Sequence, residues 1–249
     1  MDTGLFILCF GLFIIAILYS SVGHGGASGY LAILSITAYS NILELKQYAW
    51  CLNLIVAGVS FYHYYNSGYF VKNLTIPFLI GSVPLAFVGG YIEIDNILYD
   101  SLLSVTLVWA AYKLYSTKKI IDLNNLNIPS FKVAIPIGAL IGFFSGVIGV
   151  GGGVFLSPLI ILKKWASPKN VAATSAMFIW INSLSGLIGA KMSNQIVIEF
   201  EILFPFIISV LIGGYIGSKY GTIMKEKNIK KILIIVLLIA AMKRIGGLL

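Results

Sequence analysis

Charge is scarce in this 249-residue chain: 10% of the residues are Asp, Glu, Lys or Arg, against 59% apolar. A water-soluble domain carries roughly a quarter charged residues, so that class is excluded. Arginine occurs once, at Arg244, and no Asp or Glu falls in the middle of an apolar run. The first absence leaves no buried guanidinium clamp for a substrate. The second argues against a carboxylate relay for cations or protons across a membrane. Cysteine is limited to Cys9 and Cys51, each inside an apolar stretch, where a small core hydrophobe is expected rather than a disulfide or metal pair. There is no His-Glu-x-x-His pattern and no phosphate-loop sequence, so neither a metalloprotease nor an ATP-driven pump is supported, and no metal or cofactor is expected. Met1-Asp2-Thr3 lacks the basic start of a signal peptide, so the first apolar run is expected to be retained.

What is present is a series of long uncharged runs. Thr3 to Leu43 and Val133 to Leu162 contain no Asp, Glu, Lys or Arg. Asn73 to Ile92, Val171 to Ala190 and Ile202 to Ser218 each approach the ~20 residues that cross a bilayer as helix. Tyr48 to Tyr65 carries only His63. No stretch is left for a soluble domain, so the function belongs to the membrane bundle. The net charge of +8 invites a nucleic-acid reading, but the lysines sit in short loops, as on the cytoplasmic side of membrane proteins. The expected partners are a small anionic solute and the lipid bilayer, with no nucleic acid.

The first apolar run would extend roughly 60 Å as a straight helix, about twice the hydrocarbon thickness. It must fold back or break, and its punctuation is Gly23-His24-Gly25-Gly26-Ala27-Ser28-Gly29. The run 133–162 is also overlong and is punctuated by Gly149-Val150-Gly151-Gly152-Gly153, 126 residues later (149 − 23). Pro205 and Ser209 match Pro77 and Gly81 at an offset of 128 (205 − 77). The fourth apolar segments, about 97–115 and 229–246, are both short. The chain thus reads as one unit used twice: a first transmembrane repeat 1–115, a linker 116–131 and a second repeat 132–249. Four lysines in 113–132, five in 219–231, and Lys163, Lys164 and Lys169 place those segments in the cytoplasm. Glu93, Asp95 and Asp100 mark the 93–100 loop as external. On that count the first broken hairpin enters from outside and the second from inside. The expected fold is an all-α polytopic transmembrane helical bundle: two inverted repeats, each opening with a Gly-rich broken hairpin, multi-pass in a bacterial inner membrane.

At a break inside an apolar run, backbone N–H groups lose their helical partners, and lipid offers none. The helix that restarts there presents its positive end, which favours an anion. Two such ends arriving from opposite faces form the usual centre of an inverted-repeat secondary transporter. The candidate substrate-binding backbone is therefore Gly23, Gly25, Gly26, Gly149, Gly151, Gly152 and Gly153. His24 is an ionisable group at hydrocarbon depth and a candidate donor or proton acceptor, the alternative being a histidine satisfied by a neighbouring carbonyl. Ser28, Thr174, Ser175 and Asn182 are uncharged candidates for the same site. Ser175 and Asn182, seven residues apart, share a helix face, which equally suits bonds to neighbouring helices. Gln47 and Asn53 carry the same two readings in the first half. Gly138, Gly142 and Gly146 form a small-xxx-small ladder suited to helix packing and compatible with a homodimer. Ser157-Pro158 offers another start for the returning helix, and His63 reads as part of an interfacial aromatic belt.

The segment Phe144-Ser145-Gly146-Val147-Ile148-Gly149-Val150-Gly151-Gly152-Gly153-Val154-Phe155-Leu156-Ser157-Pro158-Leu159 resembles the glycine-rich signature of the TauE/SafE sulfite exporter family, also called the toluene-sulfonate uptake permeases. Ala172-Ala173-Thr174-Ser175 followed by Asn182-Ser183 is similar to that family's next helix. The resemblance covers essentially the whole chain and implies membrane transport of sulfite, sulfonates or related sulfur anions. The first half departs from the pattern: His24 stands in place of an apolar residue, and Ala27-Ser28-Gly29-Tyr30 lacks the third glycine and the proline. The expected function is a secondary transporter of a small sulfur-containing anion working by alternating access, and not an enzyme. An anion channel or a transporter of another solute are the alternatives. An intramembrane serine enzyme built on Ser28 and His24 lacks a third orienting group.

Overall fold

Apolar runs without charge have one stable form in lipid, the helix, because only there does each backbone group find a partner within its own segment. The computed structural model describes residues 3–36, 42–93 and 127–221, with scattered positions between 98 and 112. The fourth apolar segments and the 116–131 linker lie wholly or largely outside the described residues. Among those described there are eight helices and no strand. They are α1 (Thr3–Ser20), α2 (Ala27–Ile36), α3 (Ile42–Asn66), α4 (Lys72–Tyr91), α5 (Phe131–Ile148), α6 (Gly153–Leu162), α7 (Pro168–Met192) and α8 (Phe200–Tyr220). By length and composition α4, α5, α7 and α8 are each able to cross a membrane.

The helices repeat in length as well as in order. α1 and α5 both have 18 residues, α2 and α6 both 10, α3 and α7 both 25. α2 and α6 start 126 residues apart (153 − 27), as do α3 and α7 (168 − 42). Packing runs between the halves. α1 lies along α8 and α5 along α4, so the first helix of each half packs on the last described helix of the other. α3 and α7 pack together, and each also meets the partner half's last helix, α3 with α8 and α7 with α4.

Close approach at these crossings depends on small residues. A Cβ on Gly142 would lie 2.6 Å from Ser82 Cα, and one on Gly217 would lie 2.7 Å from Ile17 Cα. The α4–α5 and α1–α8 pairs therefore touch backbone to backbone, which replaces the hydrophobic driving force that lipid does not supply. Phe6, Phe10, Leu140, Phe200 and Phe204 are exposed, as suits side chains facing hydrocarbon. The interior is the polar part. Lys46, Gln47, Asn53 and Ser60 of α3, and Thr174, Ser175, Asn182 and Ser183 of α7, are all buried. Polar groups turned inward on two packed helices single out this interior as the candidate site.

Candidate functional site

Each half opens with an interrupted helix pair, and the interruptions are set by glycine. α5 ends where Gly149 takes a left-handed conformation (φ 88°), its N–H bonding to Ser145 O at 2.8 Å. α6 begins after Gly152, also left-handed (φ 83°), and no side chain caps its N-terminus. Only glycine adopts two such conformations so close together without strain. In the first half, α1 gives way at Ser20, and α2 starts after Gly26 (φ 103°). Ser157 sits inside α6 rather than at its start, so the alternative Ser157-Pro158 beginning is discarded.

The two breaks meet across one asparagine. Asn53, fully buried on α3, accepts from Ala27 N at 3.1 Å and thereby serves the N-terminus of α2. Its amide nitrogen faces Val150 O at 3.5 Å and donates to Ser183 Oγ at 3.1 Å. One side chain thus ties the restart of the first broken helix to the backbone of the second and to α7. The glycines explain how it fits. A Cβ on Gly25 would lie 2.8 Å from Asn53 Cγ and 2.8 Å from Ile179 Cγ2. One on Gly151 would lie 2.7 Å from Asn53 Nδ2 and 2.8 Å from the same Ile179 atom. Gly153 packs on Ile179 as well. Gly25, Gly151 and Gly153 therefore line a shared centre between α3 and α7.

His24 belongs to that centre. Its Nδ1 is 3.0 Å from Val22 O, and its Cδ2 would lie 3.7 Å from a Cβ on Gly153. The imidazole is thus held by a carbonyl of its own break and lies against the second break. The outer glycines reach further along the helices. Gly23 rests on the Ala172 backbone, Gly149 on Lys46, and Gly152 on the Phe178 ring.

The other expected side chains are not gathered there. Ser28 pairs with Tyr19 OH at 2.9 Å. Thr174 pairs with Thr75 at 3.0 Å, joining α7 to α4, and Ser175 pairs with Ser157 at 2.5 Å, joining α7 to α6. Asn182 donates to Phe178 O at 2.8 Å, one turn back on its own helix, and leaves a buried Oδ1 without a partner. Gln47 is a brace, donating to Gln195 O at 2.5 Å and accepting from Val197 N at 2.9 Å. His63 bonds Ser218 Oγ at 2.7 Å and stacks edge-on with Tyr215, which ties α3 to α8 beyond a belt role. Among the described residues, no group of three or more His, Cys, Asp or Glu side chains is placed to hold a metal ion. Both cysteines are free.

Two residues at the site lay outside the expected set. Asn53 was read as ambiguous; the available signal was that it lies on α3, the helix corresponding to the one that carries Asn182. For Lys46, counting single crossings back from the lysine-rich segments gave only a place in an external loop. It is instead on the second turn of α3 and only 2% exposed.

A bundle of apolar helices with a polar, glycine-broken interior defines a multi-pass membrane transport protein. The family model described as "Sulfite exporter TauE/SafE" matches residues 7–244, and the chain belongs to that family. Its relatives include the "Probable membrane transporter protein y4hK" of Sinorhizobium fredii, 33% identical over 98% of this chain and 99% of the relative. The "Probable membrane transporter protein YdhB" of Bacillus subtilis is 20% identical over 88% of this chain and 91% of its own. "Probable membrane transporter protein MJ0441" of Methanocaldococcus jannaschii is 26% identical over 64% of this chain and 52% of its own. No solved structure matches the chain.

Proposed function

We propose that the protein is a secondary transporter of a small sulfur-containing anion (sulfite, an organosulfonate or a related oxyanion) in a bacterial inner membrane. The observation that carries this reading is the meeting of both glycine breaks at Asn53 and Ile179, between the two longest polar-lined helices. Two restarted helices, α2 and α6, bring N-terminal ends toward one centre, and such ends favour negative charge. α2's first N–H is held by Asn53, so an anion there would exchange with, or sit beside, a neutral acceptor rather than a fixed carboxylate. The sulfur class rests on the family. In this reading the halves are inverted repeats, and access alternates as one rocks against the other.

The test is current from proteoliposomes on a solid-supported membrane after jumps of sulfite, sulfate, thiosulfate and short sulfonates. A saturable, substrate-selective response, weakened in His24→Ala and Gly152→Leu protein of normal folding, is the expected result. Flux that no ion gradient can drive uphill would assign the site to a channel. Silence across the panel would withdraw the sulfur assignment.

A further inference from the structure

Next to the breaks the two halves differ in charge at one pair of matched positions. Gly23 of the first break rests on Ala172, and Gly149 of the second break rests on Lys46. Both pairs are separated by the repeat offset of 126 (149 − 23 and 172 − 46). Where the first break rests on the backbone of an alanine, the second rests on a lysine. A Cβ on Gly149 would lie 2.8 Å from Lys46 Cγ and 3.2 Å from Lys46 Cα, so the lysine stem is in contact with the break itself.

Lys46 is 2% exposed and has no hydrogen bond or ion pair among the described residues. Its ammonium lies 5.3 Å from the centre of the Trp50 ring. A cation–π contact of that kind is far weaker than the cost of taking an ammonium out of water. The contact alone leaves the charge uncompensated. Glu93, the carboxylate whose field reaches Lys46, is itself exposed and outside ion-pair distance. Two further donors near this point lack partners: Trp50 Nε1, one turn along α3, and Ser145 Oγ, one turn before Gly149 on α5. Trp50 Nε1 lies on the α7 side, 3.2 Å from where a Cβ on Gly186 would be, and among the described residues neither it nor Ser145 Oγ has an acceptor.

We infer that Lys46 is the counter-charge of the transported anion, forming with Trp50 Nε1 and Ser145 Oγ an oxyanion subsite at the Gly149 end of the path. This rests on the anion-transport reading above and adds to it a residue, a sign of charge and a position. Lys46 lies seven residues from Asn53 on α3, roughly 10 Å along the axis, so the subsite is the station next to the glycine centre. The opposite end, at Ala172, carries no such charge. The subsite binds an anion by charge and by hydrogen-bond donation, without need of a metal.

The test compares wild type with Lys46→Ala, Lys46→Gln and Lys46→Arg, using sulfite, thiosulfate, methanesulfonate and chloride as probes. Flux in proteoliposomes supplies KM and maximal rate, and thermal unfolding of the detergent-solubilised full chain supplies the anion-induced rise in Tm. Lys46→Ala installs the residue the other half already carries at this place, and Lys46→Gln keeps most of the volume. Both are expected to unfold, without added anion, at or above the wild-type temperature, because an unmatched buried cation is gone. Both are expected to raise KM at least tenfold and to lose the anion-induced rise, with Lys46→Arg retaining part of each. A lysine that serves only to brace Trp50 gives the opposite pattern: lower stability with KM unchanged. Unchanged KM and an unchanged anion response in both neutral variants overturn the assignment of Lys46 while leaving anion transport standing. A wild-type response to chloride alone, lost in those variants, keeps the subsite and removes the sulfur class. A wild type silent to all four anions overturns both.

Discussion

Asn53→Ala removes the link between the two breaks, and its cost follows from three contacts. Ala27 N–H loses its acceptor at 3.1 Å, Ser183 Oγ loses its donor at 3.1 Å, and the longer approach to Val150 O at 3.5 Å disappears. All three partners are buried, where water cannot replace the lost groups. A buried donor left unsatisfied costs about 1–3 kcal/mol and a neutral hydrogen bond contributes about 1 kcal/mol, so the total is about 2–4 kcal/mol. At ~2–4 °C per kcal/mol for chains of this length, Tm falls by roughly 5–15 °C. The assay is a thermal ramp followed by fluorescence-detected size exclusion in one detergent. A single heating rate is used throughout, since unfolding of such proteins is irreversible and the midpoint depends on rate. Ser183→Ala removes one of the three contacts and should cost about 1 kcal/mol. The two changes share a bond, so the double variant should be less destabilised than the two single losses added together. A midpoint within about 1 °C of wild type for Asn53→Ala, or strict additivity in the double variant, would refute the bridge. Anion flux should fall in Asn53→Ala more than in Ser183→Ala, because only the former frees α2 from the second break.

The packing and the sidedness give three further expectations. Gly142→Ala drives a Cβ to 2.6 Å from Ser82 Cα; overpacking of this kind costs about 1–3 kcal/mol, so its Tm should drop while the exposed Gly68→Asn stays near wild type. Gly152→Ala puts a side chain on a left-handed residue (φ 83°) and 2.7 Å from the Phe178 ring. It should lose about 1–2 kcal/mol from backbone strain and lose flux by displacing the start of α6, as a thermal ramp and a liposome assay would show. Lysine placement puts the loop after α7 outside and the loop after α3 inside. With Cys9 and Cys51 replaced by alanine, a cysteine at Asn194 should react with an impermeant maleimide on intact cells. One at Ser67 should react only after permeabilisation, and the reverse pattern would invert the orientation.

Repetition is what made the architecture legible. A break recurring after 126 residues inside two overlong apolar runs pointed to two matched units, and the described helices keep that offset from α2 to α6 and from α3 to α7. The ladder Gly138, Gly142 and Gly146 was readable for the same reason: spacing by four leaves one face of a helix free for a neighbour, and α4 occupies it at Phe78, Ser82 and Ala86. The same logic was less selective on side chains. Thr174 and Ser175 were read as site residues because they follow the second break; a hydroxyl on a buried helix is as readily satisfied by another hydroxyl, and Thr75 and Ser157 supply them. Periodicity also hides what differs between the halves. At the repeat offset, His24 corresponds to Val150, Tyr30 to Leu156 and Lys46 to Ala172, so these polar or charged groups of the first half have apolar counterparts in the second. A transporter built from two identical halves has no reason to treat its two faces differently. Lys46, absent from the second half and pressed against the second break, supplies such a difference. Its position in a sequence gives no sign of this, because a lysine two residues from Glu44 reads as the edge of a loop. Only the approach of Gly149, from a helix a hundred residues away, turns it into an interior charge.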